Sequence, residues 1–292
     1  MIKLTVVISL GVMLLQYFGI ISIVAEWLVP LFGYLGLSGE GALVFITGAL
    51  VNHYAAIAII ETIGFDARSI TILALMCLCA HNLIIETAIQ RKTGSSAVQM
   101  VLIRLSFAVI SALILNAVLP AAEVNLSATA RHTADADLLT TFKNWAISTT
   151  KLVLMMFSII VGLTILQRIL ADLGVIRSVS KALRPLMRLF GLPPKTSFLW
   201  IVTQTLGLAY GAAVMLEEKE NGKVNKKELD LLNHHVAASH SNIEDVMLYF
   251  TMGASLAWMY GLRIVLAIAL VWGKRLIEQV VQYKSKYLKT RN

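Results

Sequence analysis

Eight apolar runs of about 20 residues fill most of this chain, at 4–24, 41–61, 70–90, 98–119, 145–168, 196–216, 229–252 and 255–273. That length matches the hydrocarbon thickness of a bilayer, and runs with so few charges belong in one. The composition agrees. Over 292 residues the chain is 58% hydrophobic and only 14% charged, with a mean hydropathy of +0.76. A soluble domain of this length is excluded, and an all-α polytopic membrane protein is expected. The net charge of +8 is then read as Lys and Arg on the cytoplasmic side, with no nucleic-acid partner. The first run, "LTVVISLGVMLLQYFGIISIV", is too long for the apolar part of a signal peptide, and no small-x-small cleavage site follows it. A retained first transmembrane helix is expected there. Cys77 and Cys79 stand two apart on a predicted helix and so point to different faces. They read as buried free thiols rather than a disulfide or a metal pair.

The chain is also written twice. His81 and His240 are 159 residues apart, and so are Glu86 and Asp245, Gly94 and Gly253, and Arg104 and Arg263. Upstream, "LVPLFGYLGL" (28–37) resembles "LRPLMRLFGL" (183–192), with Pro30 and Pro185, and Gly36 and Gly191, 155 apart. An insertion of four in the charged loop "EEKENGKVNKKE" (217–228) reconciles the two offsets. The expected organisation is repeat 1 at 1–120, an extracytoplasmic linker at 121–143, repeat 2 at 144–275 and a basic cytoplasmic tail at 276–292.

Charge orients the copies. Residues 22–40 carry Glu26 and Glu40 and no Lys or Arg, whereas 177–195 carry Arg177, Lys181, Arg184, Arg188 and Lys195. By the positive-inside rule these equivalent segments face opposite sides, which makes two inverted-topology repeats. Inversion needs an odd number of crossings per copy, so one of the four runs in each must enter and return. The runs 41–61 and 196–216 are broken near their middles by "NHY" (52–54) and "TQTLGLAYG" (203–211). Irregular backbone at membrane depth is tolerated only inside protein or along a wet cavity. Each copy is therefore expected to hold three transmembrane helices, one re-entrant helical hairpin and an interfacial amphipathic helix, with both termini cytoplasmic. In the basic segment 177–190, Val179, Leu183, Leu186 and Leu189 oppose the four basic residues, a pattern that lies along the inner surface.

Ionisable residues inside apolar runs are the candidate site. Each copy places a His, an acid and an Arg on two successive predicted helices: His81, Glu86 and Arg104, then His240, Asp245 and Arg263, with Glu244 a further acid. Such residues face the interior and pair. The acid-to-Arg spacing of 18 suits an ion pair across a helical hairpin, either structural or the floor of a substrate or proton site. On continuous helices His81 and Glu86 would stand ~140° apart, while His240 and Glu244 would stack one turn apart. Asn82 and Asn242 accompany the histidines. Asn52 and His53 at one hairpin break and Gln204 at the other are candidate tip residues, where half-helix ends offer free N–H and C=O groups. His234 and His235 are expected at the interface, and His132 carries no role. No nucleophile elbow, phosphate loop or zinc spacing occurs, so neither an enzyme nor a cofactor or metal is expected.

These residues carry a resemblance. The repeated glycine–leucine step before each hairpin, the small-residue runs "GALVNHYAAIAI" (48–59) and "LGLAYGAAVML" (206–216), and then "HNLIIET" (81–87) and "HSNIED" (240–245) resemble the nucleoside-recognition (Gate domain) superfamily of bacterial membrane proteins. Its members include spore maturation proteins A and B and the gate domains of ferrous iron transporter B. Concentrative nucleoside transporters are more distant relatives. The resemblance covers most of the chain and implies two inverted repeats whose re-entrant hairpins and discontinuous helices surround a midplane site. The expected function is an inner-membrane transporter or gate-like carrier for a small polar or anionic solute, in contact with membrane lipids and compatible with a homodimer. Two alternatives stand beside it: a non-transporting structural subunit, and a lipid-handling protein.

Overall fold

The computed structural model describes residues 2–120 and 137–289. Most of the expected linker, His132 included, lies outside the described residues, as do the last three residues of the basic tail. Helices make up most of the described residues, and no strand occurs among them. In copy one the helices are α1 (Ile2–Tyr17), α2 (Ile20–Tyr34), α3 (Gly41–Leu50), α4 (His53–Ile63), α5 (Ala67–Ala80), α6 (Leu83–Lys92) and α7 (Ala97–Val118). In copy two they are α8 (Leu138–Asp172), α9 (Val175–Ala182), α10 (Arg184–Leu189), α11 (Ser197–Thr205), α12 (Gly207–Glu220), α13 (Lys226–Ala238), α14 (Glu244–Thr251) and α15 (Leu256–Lys289).

Four stretches are long and apolar enough to cross a membrane: Ala67–Lys92, Ala97–Val118, Leu138–Asp172 and Leu256–Tyr283. A fifth arises if the bent pair Thr5–Tyr17 and Ile20–Tyr34 counts as one span. The single straight helix expected at 4–24 is not formed. The chain turns through 91° at Gly19, whose φ of 71° is left-handed. Glycine holds that conformation without the clash a Cβ would cause. The run 229–252 is likewise not one helix, because it unwinds between Ala238 and Glu244.

The two copies bend at matching places. Gly19 and Gly174 end the first long helix of each copy at φ 71° and 68°, and Gly36 and Gly191 precede the broken pairs at φ 73° and 72°. Both pairs are 155 apart. Asn82 and Ser241, 159 apart, are the two non-glycine residues with positive φ among the described residues, at 47° and 48°. The runs at 41–61 and 196–216 are broken as their sequences imply. α3 packs on α4 across Val51 and Asn52, and α11 packs on α12 across Leu206.

The chain clusters into two compact units, each drawn from both copies. Unit 1 holds Met1–Ile84, Arg104–Ile165 and Ile243–Tyr260, and unit 2 holds Ile85–Ile103, Leu166–Asn242 and Gly261–Asn292. Within unit 1, α4 and α5 are buried on all sides, including Ala55 to Ile60 and Ile70 to Ala80. A helix apolar all round belongs in such a core. Within unit 2 the core gathers Met187, Phe190, Trp200, Leu208, Leu232 and Val271. On α9 and α10, Arg177, Lys181, Arg184 and Arg188 are exposed, while Ile176 and Met187 are buried.

Candidate functional site

The histidines sit at helix breaks, not on continuous helices. In unit 1, α5 stops at Ala80, His81 caps it with extended backbone at ψ 156°, and Asn82 follows in the left-handed region. The strained turn is held from two sides. Asn82 N donates to Gly48 O at 3.1 Å, tying the turn to the end of α3. Fully buried Arg104 donates from Nε to Cys79 O at 2.9 Å and from Nη2 to His81 O at 2.7 Å. These carbonyls lack helical donors because the helix has ended, so Arg104 replaces the ladder that the break removes.

Unit 2 repeats this construction. Ser241 N donates to Thr203 O at 3.0 Å, and buried Arg263 donates to Ala238 O at 2.9 Å and His240 O at 2.8 Å. Arg263 also reaches Asn242 Oδ1 at 2.7 Å. Asn242 Nδ2 in turn donates to Gln204 Oε1 at 2.7 Å and Ser239 Oγ at 2.9 Å, and Gln204 Nε2 donates to Ser239 O at 2.7 Å. Gln204 and Asn242 are thus part of one polar network, and Ser239 joins it unanticipated by the sequence reading.

The acids lie beside histidines of the opposite copy. In unit 1, Asp245 places Oδ1 3.4 Å from His53 Nε2 and Oδ2 3.4 Å from His81 Nε2. In unit 2, Glu86 Oε2 is 3.1 Å from His240 Nε2. The breaks make this exchange possible. After the turn at His81 the chain passes from unit 1 to unit 2, and after the turn at His240 it passes from unit 2 to unit 1. The angular relations expected on continuous helices, including the stacking of Glu244 on His240, therefore do not hold. Glu86 and Arg104 belong to different units, as do Asp245 and Arg263. The arginine contacts described within each unit go to backbone and amide oxygens at the break.

The histidine contacts have a definite hydrogen polarity. His81 Nδ1 is 3.0 Å from Cys77 O, and His240 Nδ1 is 2.7 Å from Val236 O. A carbonyl only accepts, so each Nδ1 carries the hydrogen, and in the neutral ring Nε2 is left as an acceptor. In both units that acceptor faces a carboxylate oxygen, which is also an acceptor. The contact is attractive only when a hydrogen or a cation lies between them.

Asn52 caps α4, accepting from Ala55 N at 2.9 Å, and so acts first on the backbone. Tyr54, which the sequence reading did not single out, donates to Glu244 Oε1 at 2.6 Å. Its signal was its place beside a break residue. His234 and His235 are completely buried in unit 2 rather than interfacial. His234 donates to Asp230 O at 2.6 Å, and His235 stacks on Phe190 and accepts from Trp200 Nε1 at 3.3 Å. Both follow from α13 turning this face into the core of unit 2. Cys77 and Cys79 are buried and form no disulfide. A groove of about 800 Å³ in unit 2 is lined by Ser95, Lys226, Lys227, Asp230 and Glu278 among others. Three of its charged residues pair, Lys227 with Glu278, and Asp230 with Lys274 beside it.

A family model described as nucleoside recognition, the Gate domain, matches residues 153–271. The uncharacterized membrane protein YvoD of Bacillus subtilis (strain 168) is 30% identical over 266 residues, which cover 90% of this chain and 85% of that protein. The chain belongs to the Gate-domain nucleoside-recognition family. No solved structure matches it significantly. The Gate match begins within α8 and ends within α15, so it takes in Gln204, His240, Asn242, Asp245 and Arg263. The copy-one break in this Gate-family chain lies outside the matched range. It nonetheless has the same arginine clasp, the same histidine tautomer and the same left-handed residue as the matched one.

Proposed function

We propose that this Gate-family membrane protein is a carrier of the bacterial inner membrane for a small polar or anionic solute. In this reading the two copies run in inverted topology, α3–α4 and α11–α12 are re-entrant hairpins, and both termini are cytoplasmic. One observation carries the reading: each copy spends a histidine, an acid and a buried arginine on an unwound turn in apolar surroundings. Ionisable residues within membrane helices are costly and mark solute or ion paths, and discontinuous helices supply free backbone groups to the solute. The polar groups at each break are solute ligands within their own unit: His81 in unit 1, and His240 and Gln204 in unit 2. Arg104 and Arg263 act as positioning residues that keep the turns open. The family's description makes nucleosides the first solutes to test.

The experiment is a thermal-unfolding screen of the purified protein against nucleosides, nucleobases, amino acids and organic anions, followed by uptake of each hit into proteoliposomes. A ligand at about 100 times its dissociation constant adds ~2.7 kcal/mol of stability. The reading expects a hit that weakens in the His81→Ala/His240→Ala double variant and is taken up by vesicles. A second reading, a structural subunit without transport, draws on the arginine clasps, which complete backbone hydrogen bonding and need no solute. Well-folded protein that shows neither a shift nor uptake would reject the carrier and favour the subunit.

A further inference from the structure

We propose that His53, His81 and Asp245 form a binding site for a late first-row divalent transition-metal ion, of the Zn²⁺, Co²⁺ or Ni²⁺ class. The proposal requires only the geometry of unit 1 and does not rest on the carrier reading. The three side chains are 5%, 1% and 4% exposed. One ligating atom from each lies within 4.8 Å of the other two, and both His–carboxylate contacts are 3.4 Å. The two 3.4 Å contacts go to different oxygens of Asp245, and one atom from each residue forms a triangle whose corners lie up to about 2.8 Å from its centre. Zinc bonds to imidazole nitrogen and carboxylate oxygen are ~2.0–2.2 Å long, so the side chains must close by up to about 0.6–0.8 Å to ligate. The imidazole rings stand edge to face, 5.0 Å apart and 89° inclined, an angle at which two nitrogens can converge on one point.

The surroundings are those of a ligand set. His81 donates Nδ1–H to Cys77 O, which leaves the Nε2 lone pair directed at the Asp245 carboxylate. Metal-bound histidines nearly always donate the other ring nitrogen in this way, and the bond fixes tautomer and orientation. Two acceptors held face to face in a buried place require a positive centre between them, and a third acceptor brought to the same point favours an ion that takes three. Two imidazoles with one carboxylate suit late first-row ions better than Mg²⁺ or Ca²⁺, which favour all-oxygen sets. Asp245 supplies the acid of the set, and its neighbour Glu244 is held apart by Tyr54. Three protein ligands leave a coordination position open, which suits an exchangeable ion rather than a closed structural one.

The proposal is tested by titrating Co²⁺ into the tag-free, detergent-purified full chain while following visible d–d absorption. One equivalent should bind and be displaced by Zn²⁺. Affinity should fall at least about 100-fold in His53→Ala, His81→Ala and Asp245→Asn, and be unchanged in His132→Ala. His53→Gln and Asp245→Asn keep side-chain volume, and melting curves identify which variants are folded. Folded wild-type protein that takes up no Co²⁺ would overturn the site and leave a proton as the shared positive centre. Binding that survives in folded Asp245→Asn and His53→Gln would also overturn it. So would a near-ultraviolet thiolate-to-cobalt band, because it would move the ion to Cys77 or Cys79. Metal binding is read at equilibrium without a solute or a vesicle. Failure of transport therefore leaves this result intact, and failure here leaves the solute screen intact.

Discussion

Gly211→Ala should destabilise the protein, and Thr203→Ser should reverse part of the loss. Gly211 sits in α12 where it crosses α11. A Cβ built there would lie 2.4 Å from Thr203 Cγ2 and 3.4 Å from Thr203 Cα and Cβ. Carbon atoms rest about 3.5–4.0 Å apart, so the methyl pair must separate by more than ~1 Å. Thr203 cannot easily yield. It is fully buried, its hydroxyl donates to Trp200 O at 2.7 Å, and its carbonyl holds the left-handed Ser241. Overpacking of this kind costs about 1–3 kcal/mol, offset by up to ~1 kcal/mol because alanine favours the helix over glycine. A net loss of about 1–2 kcal/mol is expected, a fall of roughly 2–6 °C in melting temperature for a chain of this size. Thr203→Ser alone removes a buried methyl at ~1 kcal/mol and keeps the hydroxyl. In the double variant the new Cβ meets the remaining atoms of residue 203 at 3.4 Å, which is ordinary contact. The double variant should therefore be more stable than the sum of the singles by ~1 kcal/mol or more. Thermal melts followed by tryptophan fluorescence test this, with Trp200 reporting from α11. Additive losses, or a neutral Gly211→Ala, would refute the close crossing.

In copy one α3 also packs on α5, and Gly48→Ala should be destabilising by about 1–2 kcal/mol, since its Cβ would meet Cys77 Sγ at 2.8 Å; Cys77→Ala should relieve it in the same melting assay. Arg263→Met leaves the Ala238 and His240 carbonyls and the Asn242 amide oxygen without their donor. It should cost ~3–5 kcal/mol, the usual effect of breaking a buried charged network, measured by unfolding in mixed micelles. Asp66 caps α5 at the edge of its span. Burial raises its carboxyl, but bonds from the Ser69 hydroxyl and from the Ser69 and Arg68 amides outweigh this and hold it below the ordinary value. Its folded value is thus the lower one, so its contribution is present above about pH 4 and is lost as pH falls through the folded value. Asp66→Ala should cost ~1 kcal/mol at pH 7 and less in acid, as melting curves at pH 7 and pH 3 would register. Gly36→Ala should be strongly destabilising by the same assay, because φ is 73° and the Cβ would meet Asn116 Oδ1 at 2.0 Å.

Much of this was legible in the sequence because a duplication reports twice on each position. The apolar runs, the breaks at Asn52 and Gly207, and the equivalence of His81 with His240 and Arg104 with Arg263 all stood in the spacing. What stayed hidden was where helices end when nothing local ends them. Neither "CAHNLI" nor "ASHSNI" holds a proline or glycine, so a continuous helix was the natural expectation. The break is imposed instead by an arginine 23 residues on and by a carbonyl at the tip of the preceding broken pair. Tertiary donors override helix propensity there, and no local rule carries that information. The mistaken angular relations followed directly, since one left-handed residue re-aims everything after it. His234 and His235 misled for a related reason: next to a charged loop they resemble interfacial residues, yet α13 turns them inward.

The two crossings show how the copies have been free to differ. At an offset of 155, Gly48 corresponds to Thr203 and Ala56 to Gly211. One crossing is glycine against alanine, the other threonine against glycine. The small residue has changed sides: Gly211 leaves room for Thr203 Cγ2, and Gly48 leaves room for Cys77 Sγ. The same holds for the hydrogen bonds: Asn82 N to Gly48 O in one copy is Ser241 N to Thr203 O in the other, with the side chains replaced and the turn retained. At the breaks themselves the arginine, the histidine and its bond to the preceding turn are identical in both copies. A closely held turn that presents an imidazole toward a carboxylate is therefore what the architecture preserves, and the duplicated helices serve to hold two of them.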